Sequence, residues 1–473
     1  MDKKNNRTKL LIKDTFWFTV GNIGSKLITL LLLPLYTSLL TTAEYGQIDL
    51  ITTTVNLLIP VLTISIQDGI LRFCLEKNED KNSVFSLSVV IILNSMLLIG
   101  CATPLVNTLI PSIKGLTIYY CLIFMSSSFL QTFSVFLKTI NKNRLFALQS
   151  IIYSFLVSGL SVVFLVGFNF GIKGYLASII IANISTALIV FLVGKLYKYV
   201  SFKKLNKRIA VKVIGYCAPL IVASIAWWAM ESIDKYMLLY MIGEEANGLY
   251  GAASKLPLVI SVATSVFMSA WVISAIKNVD DENNSSYTFK LYDLLICWGG
   301  ILVSIMIFLS KTLGKFLLSG DFFNAWHMIP SLCVSAYFSA LSAFFGTQFT
   351  AMKKSHLHLI TNLAVMFINV ALNYLFIKLL GINGAAIATM LSFMFVLLLR
   401  QIITSRLMKV RFLTPKSIAV FCILSIAALL NAFENESMWM ISLASIYIII
   451  ALNLRTIVSS TKILIRFLRR NKI

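Results

Sequence analysis

WWAMESIDKYMLLYMIGEEANGLYGAASKLP, residues 227–257, sets Glu231, Asp234 and Lys235 at the end of one long apolar run and Lys255 near the start of the next. Glu231 and Lys235 are four residues apart and Asp234 lies three from Glu231, so a helix puts all three on one face. Charges in such surroundings are costly unless they meet a partner or a water-filled cavity, which points to a polar path through a membrane. The competing reading is a helix end at the headgroups, with solvated charges.

Composition agrees with a membrane setting. The chain of 473 residues is 58% hydrophobic and 13% charged, with mean hydropathy +0.86. No soluble domain of this length needs so much apolar surface. Apolar runs long enough to span fall at about 15–38, 46–70, 84–110, 116–137, 146–168 and 173–194. After a basic gap they resume at about 211–236, 248–276, 289–310, 328–350, 358–379 and 384–404, then 416–432 and 438–457. The expected fold is therefore all-α, a polytopic membrane protein of about fourteen transmembrane helices.

The net charge of +22 is explained by topology. Most Lys and Arg fall at the amino terminus, in the gaps near 72–81, 138–144, 195–212, 277–290, 353–354 and 400–416, and in the tail 455–472. With fourteen crossings all these lie on one side, so both termini are expected in the cytoplasm. No nucleic-acid partner is needed. The opening MDKKNNRTKLLIKD has no small-residue cleavage site and reads as the flank of an uncleaved first helix. The seven cysteines are scattered without C-x-x-C, and His327, His356 and His358 are not spaced as metal ligands. GNIGSK at 21–26 is not a phosphate-binding loop, and the largest cytoplasmic gaps are too small for a catalytic domain, so the chain is not expected to be an enzyme.

The sequence repeats. KNRLFALQ…FGIKGYLAS in 142–178 matches KKSHLHLI…LGINGAAIAT in 353–389 at an offset of 210 to 211 residues. TTAEYGQIDLI (41–51) matches EANGLYGAASK (245–255) at a similar offset, pairing Tyr45-Gly46 with Tyr250-Gly251. Two such matches argue for two six-helix lobes related by a pseudo-twofold, residues 1–200 and 201–405. A further two-helix unit with a basic tail occupies 406–473. In this register Lys26 is the counterpart of Glu231, and Asp49 that of Ser254 beside Lys255. Lys26, Lys235, Lys255 and Arg72 are candidate contacts for an anionic substrate; Asp49, Glu231, Asp234 and Asp68 are candidates for ion coupling or charge balance. For Lys26 the rival is snorkelling to the interface. Asp68 and Arg72 form a further i, i+4 pair, either a surface ion pair or an entry contact for phosphate. Pro257 is a candidate bend.

The opening KDTFWFTVGNIGSKLITLLLLPLYTSLLTTAEYGQIDL, the turn KTINKNR, the G-I-x-G turns, ESIDKYMLLYMIGEEANGLYGAASKL and LGINGAAIATMLS resemble, in that order, the polysaccharide (Wzx-type) flippases of the multidrug/oligosaccharidyl-lipid/polysaccharide (MOP) exporter superfamily. Where relatives usually carry Asp-Arg, this chain has Asp234-Lys235, which keeps the charge but loses the bidentate fork. The resemblance implies export of an isoprenoid-pyrophosphate-linked oligosaccharide across a bacterial cytoplasmic membrane, for O-antigen, capsule or similar surface polysaccharide. It implies alternating access between lobes that meet at a wet, net-cationic cleft. It implies no cofactor beyond a coupling H+ or Na+, and as partners the lipid-linked oligosaccharide, membrane lipids, a polysaccharide polymerase and other assembly proteins. Three other readings stand beside it: a lipid II-type peptidoglycan precursor flippase, a cation-coupled multidrug antiporter of the same superfamily, and, weakest, a membrane glycan polymerase.

Overall fold

The computed structural model describes residue 21 and residues 23–76, 80–277, 284–352, 354–433 and 438–470. All regular structure among them is helical, with no strand. In chain order the helices are α1 (Ile23–Leu39), α2 (Thr42–Leu62), α3 (Ile66–Phe73), α4 (Lys81–Leu109), α5 (Thr117–Thr139), α6 (Asn143–Val162), α7 (Gly171–Val193) and α8 (Lys207–Met241). There follow α9 (Glu244–Ala253), α10 (Leu258–Lys277), α11 (Asn284–Leu317), α12 (Ile329–Ala351), α13 (Ser355–Leu380), α14 (Ile382–Met408), α15 (Pro415–Ala432) and α16 (Met438–Arg470). Each of the fourteen apolar runs contains a helix. Among the described residues eleven helices are long and apolar enough to cross a membrane, or twelve when the bent pair α2 and α3 counts as one span. The start of the first expected helix and the amino-terminal basic cluster lie outside the described residues, as do 278–283 and the last residues of the tail.

Two predicted helices are broken. The run 46–70 divides between α2 and α3, which meet at 55°. Pro60 has no N–H to donate, and Ile64 and Ser65 both take positive φ, at 56° and 48°. Left-handed backbone costs a non-glycine residue about 1–2 kcal/mol. The run 248–276 divides between α9 and α10 at a turn over 254–257, which includes Pro257.

Packing divides the chain into two compact units: one reaches Tyr236 and takes back Glu244–Gly248, the other holds Met237–Gly243 and everything from Leu249 on. Most of α8 thus goes with the first unit, whereas the sequence suggested a division at 200.

In the first unit α5 packs against α3, α4 and α7. Its core gathers Ile66, Ile70, Phe85, Phe133, Phe136, Val190, Val213 and Cys217, with the rings of Phe85 and Phe136 stacked 4.1 Å apart. In the second unit α12 holds the centre, against α10, α11, α14 and α15, and Trp271 stacks on Phe344 at 4.3 Å. A bilayer gives no hydrophobic gain for moving a side chain from lipid to protein, so close packing and hydrogen bonds hold such helices together. Ser161 and Ser178 (2.9 Å) and Asn431 and Ser442 (2.9 Å) are such bonds, each contributing about 0.6 kcal/mol. The outward faces stay apolar: Leu97, Phe155, Val222 and Phe367 are exposed.

The repeat is visible in the helices themselves. α5 and α12 both have 23 residues, and each follows a 3-10 helix. Gly171 and Gly381, which open the two G-I-x-G turns, both have left-handed φ, at 53° and 61°. The pairing of 41–51 with 245–255, however, shifts by three residues. α2 starts at Thr42 and α9 at Glu244, so Gly46 corresponds to Gly248 and Asp49 to Gly251. At this point the two helices touch: a Cβ on Gly248 would lie 1.8 Å from the Thr42 carbonyl oxygen, and one on Gly46 would lie 2.3 Å from that of Glu244.

Candidate functional site

The charged face of α8 lies against α2. The Trp228 indole donates to the Thr53 carbonyl (2.9 Å), and the hydroxyls of Thr54 and Tyr236 are 2.8 Å apart. These bonds set the rotation of α8 so that Lys235 Nζ reaches Asp49 Oδ2 at 2.7 Å and Thr53 Oγ1 at 3.5 Å. Both side chains are shielded, at 16% and 6% exposure. Asp234, equally buried, accepts the Lys235 backbone N–H at 2.9 Å. Asp49, Asp234 and Lys235 therefore form one cluster. Its lysine is already neutralised, so it is not a free cation waiting for substrate.

A cavity of about 840 Å³ opens next to this cluster within the first unit. Glu231 lines it from α8, one turn before Lys235, together with Trp227, Trp228 and Ser232. The bend after Leu62 turns α3 so that Asp68 and Arg72 line it as well, and α2 contributes Asn56 and Pro60. Asp68 and Arg72 share the cavity without pairing. The Arg72 guanidinium instead reaches forward one turn to Glu76 at 3.1 Å, and Lys212 approaches the same carboxylate at 3.9 Å. Position four residues ahead of Arg72 is as close as position four behind, and Glu76, past the helix end, is free to bend toward it.

Of the candidate residues, then, Asp68, Arg72 and Glu231 line the cavity, while Asp49, Asp234 and Lys235 form the buried cluster. Lys26 is half-buried on α1 and does not line the cavity. Lys255 is half-buried in the turn after α9 and belongs to the second unit. Among the described residues the expected excess of lysine is not found in this cavity, where the charged lining groups are two carboxylates and one guanidinium.

Other polar groups make contacts that the sequence does not reveal. Arg400, part of a basic stretch in the sequence, lies inside α14 and is 3% exposed. It donates to the Ser342 carbonyl (2.9 Å), Thr361 Oγ1 (3.0 Å) and Asn362 Oδ1 (2.6 Å). Asp293 on α11 accepts from Lys416 Nζ (2.6 Å) and Thr456 Oγ1 (2.7 Å), which ties α15 and α16 to α11. A lone acid in LYDLLICW was the available signal for this contact.

No curated protein matches the chain. Among solved structures it is similar to the Vibrio cholerae MATE transporter VcmN, at 14% identity and TM-score 0.61, over 86% of this chain and 98% of that one. An inward-facing multidrug resistance MATE family transporter of the MOP superfamily gives 14% identity and TM-score 0.69 over 85% and 98%. A MOP superfamily transporter from Pyrococcus furiosus, whose binding pocket is described as having reverse polarity, gives 15% and 0.58 over 84% and 96%. At such identities these likenesses show the fold. Sequence adds the family: residues 11–273 match the one described as polysaccharide biosynthesis protein. Since that match spans more than half of its length, the chain belongs to the polysaccharide biosynthesis protein family, as a multi-pass membrane protein with a MATE-like fold.

Proposed function

We propose that the protein moves an isoprenoid-pyrophosphate-linked oligosaccharide across the bacterial cytoplasmic membrane by alternating access, for surface polysaccharide assembly. One observation carries this reading: in a chain of this family, the cavity of about 840 Å³ is lined by groups suited to a sugar head. Trp227, Trp228 and Tyr216 offer flat apolar faces, and Asn56, Ser224 and Ser232 offer donors and acceptors. Arg72 is 59% exposed at its side chain, so its guanidinium can leave Glu76 for the two phosphates of the lipid carrier. Glu231 and Asp68, facing the same space, are the groups for a coupling H+ or Na+. Asp49 and Lys235 hold α2 to α8 and balance charge.

Deleting the gene is expected to accumulate lipid-linked repeat units on the cytoplasmic face and to abolish surface glycan. Unchanged surface glycan in the deletion strain refutes the proposal. A second reading has its own support, since two carboxylates and one arginine in the cavity also suit export of an organic cation. That reading predicts drug hypersensitivity in the deletion strain with glycan display intact.

A further inference from the structure

A smaller pocket of about 290 Å³ lies inside the first unit, between α2, α5, α6 and α7. Its volume is that of about ten waters at roughly 30 Å³ each, the scale of a single sugar ring. Among the described residues no charged one lines it. Their polar side of the wall consists of Thr52, Asn56, Ser127, Gln131, Tyr153 and Asn183, and the rest is aliphatic. Asn56 also lines the larger cavity, so the two spaces share a wall residue.

The wall is built in two layers. Asn183 is 3% exposed and donates to Ser126 (3.3 Å) and Ser127 (2.9 Å), which fixes the floor. The amides of Asn56 and Gln131 have no hydrogen bond within the protein among the described residues, and both side chains are exposed to the space they line. Both amides are exposed and so keep open hydrogen-bonding capacity that a polar ligand entering the pocket can take up. Each offers two donors and an acceptor, which matches a sugar hydroxyl or acetamido group that both gives and receives. Among the described residues a cationic drug would find no counter-charge here, and pyrophosphate would find no cation.

The duplicated fold supplies an internal comparison. At equal distance from the helix start, Gln131 on α5 corresponds to Ala343 on α12, and Tyr153 on α6 to Val365 on α13. At equal distance from the G-I-x-G turn, Asn183 corresponds to Phe393. The second unit thus has apolar residues where the first has an amide, a phenol and another amide. General needs of helix packing apply to both units alike and do not account for that difference.

We infer that this neutral pocket is a saccharide subsite, which takes one sugar of the head group while the pyrophosphate stays in the larger cavity. This rests on the substrate reading proposed above. The test uses purified full-length protein in nanodiscs and two probes, undecaprenyl pyrophosphate alone and undecaprenyl pyrophosphate bearing one N-acetylhexosamine. The wild type is expected to bind the glycosylated probe about tenfold more tightly, and Gln131→Leu to remove that advantage while leaving affinity for the bare probe unchanged. Ser127→Ala, a smaller truncation, guards against misfolding and should show a partial loss. Equal affinity of the wild type for both probes, or equal weakening of both in the variants, overturns the subsite and leaves the export reading standing. Failure of the wild type to bind either probe overturns both.

Discussion

Lys235 and Asp49 meet at 2.7 Å in a shielded place, and the consequence of separating them is large. Truncating one partner of a buried pair leaves the other charged and uncompensated, which costs about 3–5 kcal/mol. Lys235→Met is therefore expected to lower the thermal unfolding temperature in detergent strongly, and the double variant Lys235→Met with Asp49→Asn to recover most of the loss. A single variant as stable as the parent would show that the pair holds nothing together. Arg72 is the opposite case. Its ion pair with Glu76 is exposed, and such pairs contribute about 0–1 kcal/mol. Arg72→Ala should thus leave unfolding within about 1 kcal/mol of the parent while reducing surface glycan. Full glycan display would remove Arg72 from the substrate path. Reading these two residues from sequence alone, one sees two similar i, i+4 or helix-end charges. Only their surroundings separate a structural pair from a mobile one.

Among elements, the bend between α2 and α3 and the crossing of α2 with α9 matter most. Ile64 and Ser65 hold left-handed backbone so that α3 can turn Asp68 and Arg72 toward the cavity. Strain of this kind persists where the surrounding structure over-determines it. The crossing depends on two glycines in contact, and is reinforced by Asn247 donating to the Gly46 carbonyl (3.0 Å) and Gln47 donating to Glu244 (2.7 Å). Gly248→Ala is expected to force α2 and α9 apart and to cost about 1–3 kcal/mol as an overpacked contact. Gly215→Ala on α8 meets nothing within 4 Å and should be neutral or slightly stabilising. Comparing unfolding of the two variants checks this; equal effects would refute the role of the crossing. Tyr45-Gly46 was legible in the sequence as half of a repeat. Its true counterpart was not, because the register follows from where each helix starts and where the backbones touch.

For the whole molecule, fourteen apolar runs and the distribution of Lys and Arg imply an even number of crossings. Reporter fusions at residue 1 and residue 473 are expected to read cytoplasmic together; opposite readings would break the topology. The membrane class, the all-helical fold and the duplication followed from the sequence because hydropathy and helix-turn signals are local, and a bilayer demands them whatever the neighbours are. The partner of each charge did not follow. Whether Lys235 faces Asp49 or open water depends on the rotation of α8 against α2, which Trp228, Thr53, Thr54 and Tyr236 set from far apart in the chain. The same holds for Arg400, counted as a loop cation yet buried among neutral acceptors, and for Asp293, which ties α15 and α16 to α11. What the chain carries by itself is a set of membrane helices and their repeat. Which polar groups are spent on holding those helices together, and which are left facing a cavity, is decided by tertiary packing, since rotating a helix by part of a turn moves a side chain from partner to solvent.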